Sequence, residues 1–183
     1  MKQKRLTYPF VPKTVNWLLA GQFWALPLSD RTFGCARVIE VPPIEIRISR
    51  MMFFAGVLDW HSIDMPTTDS IAGALCLAQG EAHIRAITRT GGEILGYRDL
   101  AADGIEPWVF RGATCWENSH LHRGLVPLRL QTPNDNDLPV LSTWGYEVPC
   151  VIAEARFVEK TGRWAKAMPQ RAGCIFPTDC NEG

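Results

Sequence analysis

The chain lacks a net charge: Lys plus Arg and Asp plus Glu both total 19. No global field therefore draws it to nucleic acid or to an anionic membrane, and neither partner is expected. No stretch approaches the roughly 18 apolar residues that a helical membrane span requires. Histidine is scarce, at 4 of 183 residues, so few imidazoles are on hand for acid–base work or metal ligation. Repeats, low-complexity runs and long single-sign charge blocks are missing too, which excludes solenoids and extended disordered tails.

What the chain does hold is core-forming volume. Its length suits one domain, with 46% hydrophobic residues, 7 Trp and 8 Phe, a composition typical of a folded globular protein. A single domain over residues 1–183 is expected, with residues 1–16 as an extended basic lead-in and 177–183 as a frayed tail. The basic start followed by residues 15–28 imitates a secretory leader, but Asn16, Gln22 and Pro27 interrupt the apolar run. The expectation is a cytoplasmic protein whose six scattered cysteines are mostly buried thiols.

Residues 21–40, GQFWALPLSDRTFGCARVIE, read as two apolar strands joined by a turn at Ser29, Asp30, Arg31 and Thr32. Phe23 and Ala25 point one way and Trp24, Leu26 and Leu28 the other, so both faces of the first strand are apolar and it lies inside a sheet. Residues 51–60, MMFFAGVLDW, have the same double-sided character. Ile44, Ile46 and Ile48 alternate with Glu45 and Arg47 as a half-buried strand. Ile71, Ala74, Leu75 and Ala78 fall at helical spacing behind Pro66, Thr67, Thr68 and Asp69, which predicts one covering helix near residues 67–80. A second hairpin is expected from residues 83–88 and 93–98, closed through Thr90, Gly91 and Gly92. Residues 99–123 form an irregular excursion, and strands follow at 125–130, 140–144, 148–158 and around Trp164, with a turn at Pro133 to Asp137. The fold class is thus α+β, mainly β: a twisted antiparallel sheet curling toward a barrel.

Charge is segregated along the chain. Residues 1–58 carry eight basic groups against three acidic, and residues 59–106 carry eight acidic groups against three basic. Trp60 lies within this acidic stretch and Trp108 just beyond its end. Asp59, Trp60, Asp64, Asp69, Asp99, Asp103, Glu106 and Trp108 are accordingly the candidate residues of a surface for a basic protein partner, rings as anchors and carboxylates as orienting charges. Trp116 and Glu117 flank the same region.

Candidate chemistry is sparse. Gly91, Gly92 and Gly96 have the glycines of a phosphate loop without its Lys-Ser/Thr ending or a following helix, and suit a hairpin turn better. Cys115, His120 and His122 offer one thiolate and two imidazoles, the donor set of a zinc site or of a thiol hydrolase assisted by Asp135, but the spacing is that of neither. No metal and no cofactor are expected.

Gly21 to Leu28, the turn, and Phe33 to Val38 resemble the opening of the immunity protein 26 family of bacterial polymorphic toxin systems: a glycine, an aromatic–aliphatic strand ending in Pro-Leu, and a second strand ending in Gly-x-x-Arg-Val. Gly162 to Lys166 is similar to that family's closing strand around a tryptophan. The resemblance implies a mostly β, non-enzymatic protein that binds and neutralises a cognate toxin, here one basic enough for the acidic segment, such as a nuclease. The alternative is a small hydrolase or metal-binding protein using Cys115, His120 and His122.

Overall fold

A computed structural model describes residues 6–45, 49–112 and 119–169. Its centre is the expected hairpin, β1 (Gln22–Pro27) and β2 (Phe33–Glu40), paired antiparallel with Trp24 opposite Ala36. At the turn the Leu28 N–H donates to the Thr32 carbonyl at 3.0 Å, and the Asp30 carboxylate accepts the Thr32 N–H at 3.0 Å. Arg31 takes a left-handed φ of 69° there. Beside β2 runs β3 (Met52–Ser62), then β4 (Cys76–His83), both antiparallel to their neighbours. The two-residue strands β5 (Gly96–Tyr97) and β9 (Thr143–Trp144) close the order β5-β1-β2-β3-β4-β9, the last pairing being parallel. A smaller antiparallel sheet holds β6 (Val109–Arg111), β7 (His120–Arg123) and β8 (Val126–Leu130). The protein is mainly β, as its sequence implies, and neither sheet closes into a barrel.

The period-2 alternation of the central strands divides the core in two. Trp24, Leu26, Val38, Phe53, Ala55 and Val57 feed one cluster. It is covered by Val15 and Leu18 of the leading segment, by Ala86 and Ile87 of α1 (Arg85–Thr88), and by Ile152 and Ala153 of α2 (Val148–Phe157). Phe23, Cys35, Ile39, Phe54 and Leu58 feed the other, which is covered by Ile71, Ile105, Trp108 and Phe110. Each large side chain taken out of water stabilises the fold by about 1.5–3 kcal/mol before entropy is counted. The strands from β1 to β3 carry most of these side chains and so define both layers.

Several expectations are corrected by the packing, among them the irregular excursion at 99–123, which contributes β6 and β7 to the smaller sheet. Residues 67–73 form successive turns in place of the helix at 67–80, and residues from Cys76 onward join the sheet as β4. Gly73 adopts a φ of +74°, which ends any helical run, and the polar edge of β3 finds its backbone partners in residues 76–83. The hairpin of 83–88 with 93–98 is replaced by α1, because a helical turn buries both Ala86 and Ile87. Tyr97 and Gly96 pair with β1 instead, opposite Gln22 and Phe23. Residues 148–158 form α2, not a strand. Pro149 sits in its first turn, where a missing N–H costs nothing, and Val151 is left exposed. Residues around Trp164 form the short helix α3 (Gly162–Ala165) rather than a strand. Ile44 stands exposed in a turn, while residues 46–48 and the tail at 177–183 lie outside the described residues.

The Trp144 indole of β9 packs against Gly80, so that a Cβ added there would run into its Cε2 and Nε1 atoms. Gly80→Ala is expected to destabilise the protein by about 1–3 kcal/mol in denaturant unfolding. Pairing it with Trp144→Phe should recover part of that loss, since the smaller ring makes room.

Candidate functional site

The sequence-selected carboxylates divide into structural and exposed groups. Asp103 is structural. Its Oδ2 accepts Arg37 Nη1 at 2.7 Å, both oxygens accept Arg98 Nε at 2.9 Å, and Oδ1 accepts the Gly73 N–H at 2.8 Å. The side chains of Arg37 and Asp103 are wholly buried. Burial pushes the Asp103 carboxyl up, but the hydrogen bonds from Gly73, Arg98 and Arg37 outweigh it and hold it below its ordinary value. Trp108 is also internal: its ring lies 6.4 Å from that of Phe110, and its backbone N–H donates to Gln79 Oε1 at 2.9 Å. Asp103 and Trp108 are thereby removed from any partner surface.

Asp59 points to the opposite face of the sheet, where Oδ1 accepts Arg156 Nε of α2 at 3.1 Å. Two residues on, His61 stacks on Phe157 with ring centroids 5.0 Å apart, and its Nε2 meets Thr32 Oγ1 at 2.6 Å. These odd-numbered positions of β3 fasten α2, while Trp60 on the other side is half-buried against the second cluster. Asp59 therefore acts as a helix anchor.

Asp64, Asp69, Asp99 and Glu106 remain exposed. Asp64 and Asp69 sit on the β3–β4 connection, which is stiffened where Ser70 N–H donates to Thr67 Oγ1 and Thr67 N–H donates to Ser70 Oγ. The next residue, Thr68, reaches the side of β5, with its Oγ1 3.5 Å from where a Cβ on Gly96 would stand. Asp69 is thus carried beside the segment that bears Tyr97 and Asp99. Among the described residues none of Asp64, Asp69 and Asp99 forms an ion pair, and Glu106 only approaches Arg123 at 4.0 Å. Ile63 at 76%, Met65 at 43% and Tyr97 at 43% exposure add apolar area between these charges. Sequence reasoning passed over these three, although Ile63 and Met65 bracket Asp64 in a stretch too polar to be core.

The enzymatic alternative is only partly described. Cys115 lies outside the described residues, as do Trp116 and Glu117. His120 is exposed and His122 half-buried on β7. Burial and then the neighbouring His120 lower the His122 pKa, and its Nδ1 is enclosed with no hydrogen-bond partner. No group of three His, Cys, Asp or Glu suited to a metal occurs among the described residues. Asp135 is engaged elsewhere: Arg129 holds it through two hydrogen bonds of 2.7 and 2.8 Å, and it caps the turn at Thr132. Burial pushes the thiol of Cys35 far up, that of Cys76 to about 12 and that of Cys150 to about 11. All three stay protonated at neutral pH.

A second polar cluster escaped sequence reasoning. Arg85 and Arg89 of the α1 turn both lie over the Tyr146 ring, at 5.6 and 5.0 Å from its centre, and the His83 ring stands 5.2 Å from it. The four-residue spacing of the arginines was the available signal, hidden by reading residues 83–88 as a strand.

Comparison of the chain with protein-family models, curated proteins and solved structures finds no match. No helix among the described residues is long and apolar enough to cross a membrane.

Replacing Asp103 leaves Arg37 buried without its counter-charge. Asp103→Asn is expected to lower stability by about 3–5 kcal/mol. Since the folded pKa of Asp103 is depressed, its contribution is complete above the ordinary Asp value of about 3.9 and is lost as pH falls through the folded value. Urea midpoints measured from pH 6 down to 2 should therefore converge for wild type and Asp103→Asn.

Proposed function

We propose that this protein binds and neutralises a cognate bacterial toxin, in the manner of an immunity protein, and makes or breaks no covalent bond. The observation that supports this best is the exposed surface around Asp64, Asp69 and Asp99, whose carboxylates meet no cation among the described residues and are interleaved with Ile63, Met65 and Tyr97. Unpaired carboxylates give orientation and a fast encounter with a basic surface, and exposed apolar side chains supply contact area once water is expelled. The toxin is accordingly a basic protein, such as a nuclease, and neutralisation takes place in the cytoplasm.

The residues that carry the resemblance to the immunity protein 26 family, 21–40, form the interior of the sheet. That likeness concerns the scaffold. Partner choice in this reading resides in the connections laid over it, which differ from the family pattern between residues 59 and 123.

The test uses the full chain as bait in extracts of its native host. Wild type should capture a basic protein that is released as salt rises, and co-expression should protect cells from that protein's toxicity. Triple reversal, Asp64→Lys with Asp69→Lys and Asp99→Lys, should lower capture roughly tenfold or more and abolish protection. The melting temperature should stay essentially constant, because the three side chains are exposed. Full protection by the triple variant would reject the surface, and turnover of a small compound by purified protein would reject the reading altogether.

A further inference from the structure

At the end of β4 remote from Asp64, three elements bring cationic and aromatic groups together. His83 ends the strand, Arg85 and Arg89 begin and follow α1, and Tyr146 stands between β9 and α2. The His83 Nδ1 accepts the backbone N–H of Arg85 at 3.0 Å, which fixes the neutral tautomer with its proton on Nε2. Both guanidinium carbons lie within 5.6 Å of one ring centre, so two like charges converge on a single tyrosine. Each arginine is exposed, and neither forms an ion pair among the described residues. The carboxylates nearest in sequence are Glu81, which accepts Thr143 Oγ1 at 2.9 Å, Glu93, four residues after Arg89, and Glu147 at the start of α2. Burial and then the Arg85 charge hold His83 below its ordinary pKa, in keeping with a positive local field.

A guanidinium held over an aromatic ring by cation–π attraction keeps N–H donors available to an acceptor. The contact also restrains the long side chain in advance, so less freedom is lost on binding. Two such forks beside one imidazole N–H match the tetrahedral array of acceptors on a phosphoryl group. We propose that Arg85, Arg89 and His83 form a binding site for a phosphoryl group, carried by a nucleotide or present as free phosphate, with Tyr146 as the platform that positions the two arginines. The site is separate from the acidic surface and does not depend on the toxin-binding reading.

Calorimetric titration of the full chain with inorganic phosphate and, separately, with metal-free ATP tests the proposal, together with NMR of the arginine Nε–H signals. Saturable binding is expected at millimolar concentrations or below, with shifts at Arg85 and Arg89. Arg85→Gln with Arg89→Gln should weaken it roughly tenfold or more. Arg85→Lys with Arg89→Lys keeps the charge but loses the fork, and should also weaken it. Tighter binding of ATP assigns a nucleotide, and equal binding of the two probes assigns free phosphate. Absence of saturable binding to wild type, or equal affinity in the glutamine double variant, would overturn the site. Thermal melting of both variants checks that the fold is intact, as expected for exposed side chains.

Discussion

One buried carboxylate holds the second layer of this molecule to its sheet. Asp103 gathers Arg37 from β2, Arg98 from the segment after β5 and the Gly73 N–H from the β3–β4 connection. Arg37 in turn donates to the carbonyls of Gly21 and Arg98. A charge so deeply enclosed is tolerated only when its partners are fixed around it, so the three segments are held together by the pairing of Arg37 with Asp103. The covering loops are therefore docked by polar geometry as well as by Ile71 and Ile105. The exposed carboxylates of the proposed toxin-binding surface inherit their positions from this buried one.

The opposite layer is built differently. There α2 rests on the first cluster through Ile152 and Ala153, and its C-terminal turn is tied to the sheet by Arg156 with Asp59 and by Phe157 with His61. In the same C-terminal half of the helix, Glu154 accepts hydrogen bonds from Ser29 in the β1–β2 turn. Glu40, at the end of β2, links the main sheet to the small one by accepting the Leu125 N–H at 3.0 Å. Burial pushes its carboxyl up, which marks this junction as partly desolvated.

The hairpin of residues 21–40 and the strand β3 were legible in the sequence because both are apolar on both faces and bounded by polar turns. In such segments local pattern and tertiary environment agree. Residues 67–80 misled because Ile71, Ala74 and Ala78 fit a helix by spacing, while the unpaired edge of β3 demanded a strand from residue 76 onward. The run Val148, Val151, Ile152 favours a strand by side-chain type, yet it forms a helix because Ile152 and Ala153 fill the cover of the first cluster. Asp103 read as one acidic loop residue among several. Its partner Arg37 lies 66 positions away, and no local signal announces a pairing of that range. Of the proposed surface, Asp64, Asp69 and Asp99 were legible as charge, whereas their apolar companions were visible only once burial was known.

The margins of both sheets shape how this molecule can meet others. The main sheet ends on each side in a strand of two residues. The outer strand β8 is exposed throughout, but Pro127 offers it no N–H, a bulge interrupts its pairing with β7, and the Leu130 carbonyl already accepts Arg129 Nη1. Recruitment of a foreign strand by main-chain addition is thus obstructed at these three margins. Any companion must instead be recognised by the chemistry of individual side chains, which makes association selective and guards the folded chain against open-ended fibre growth.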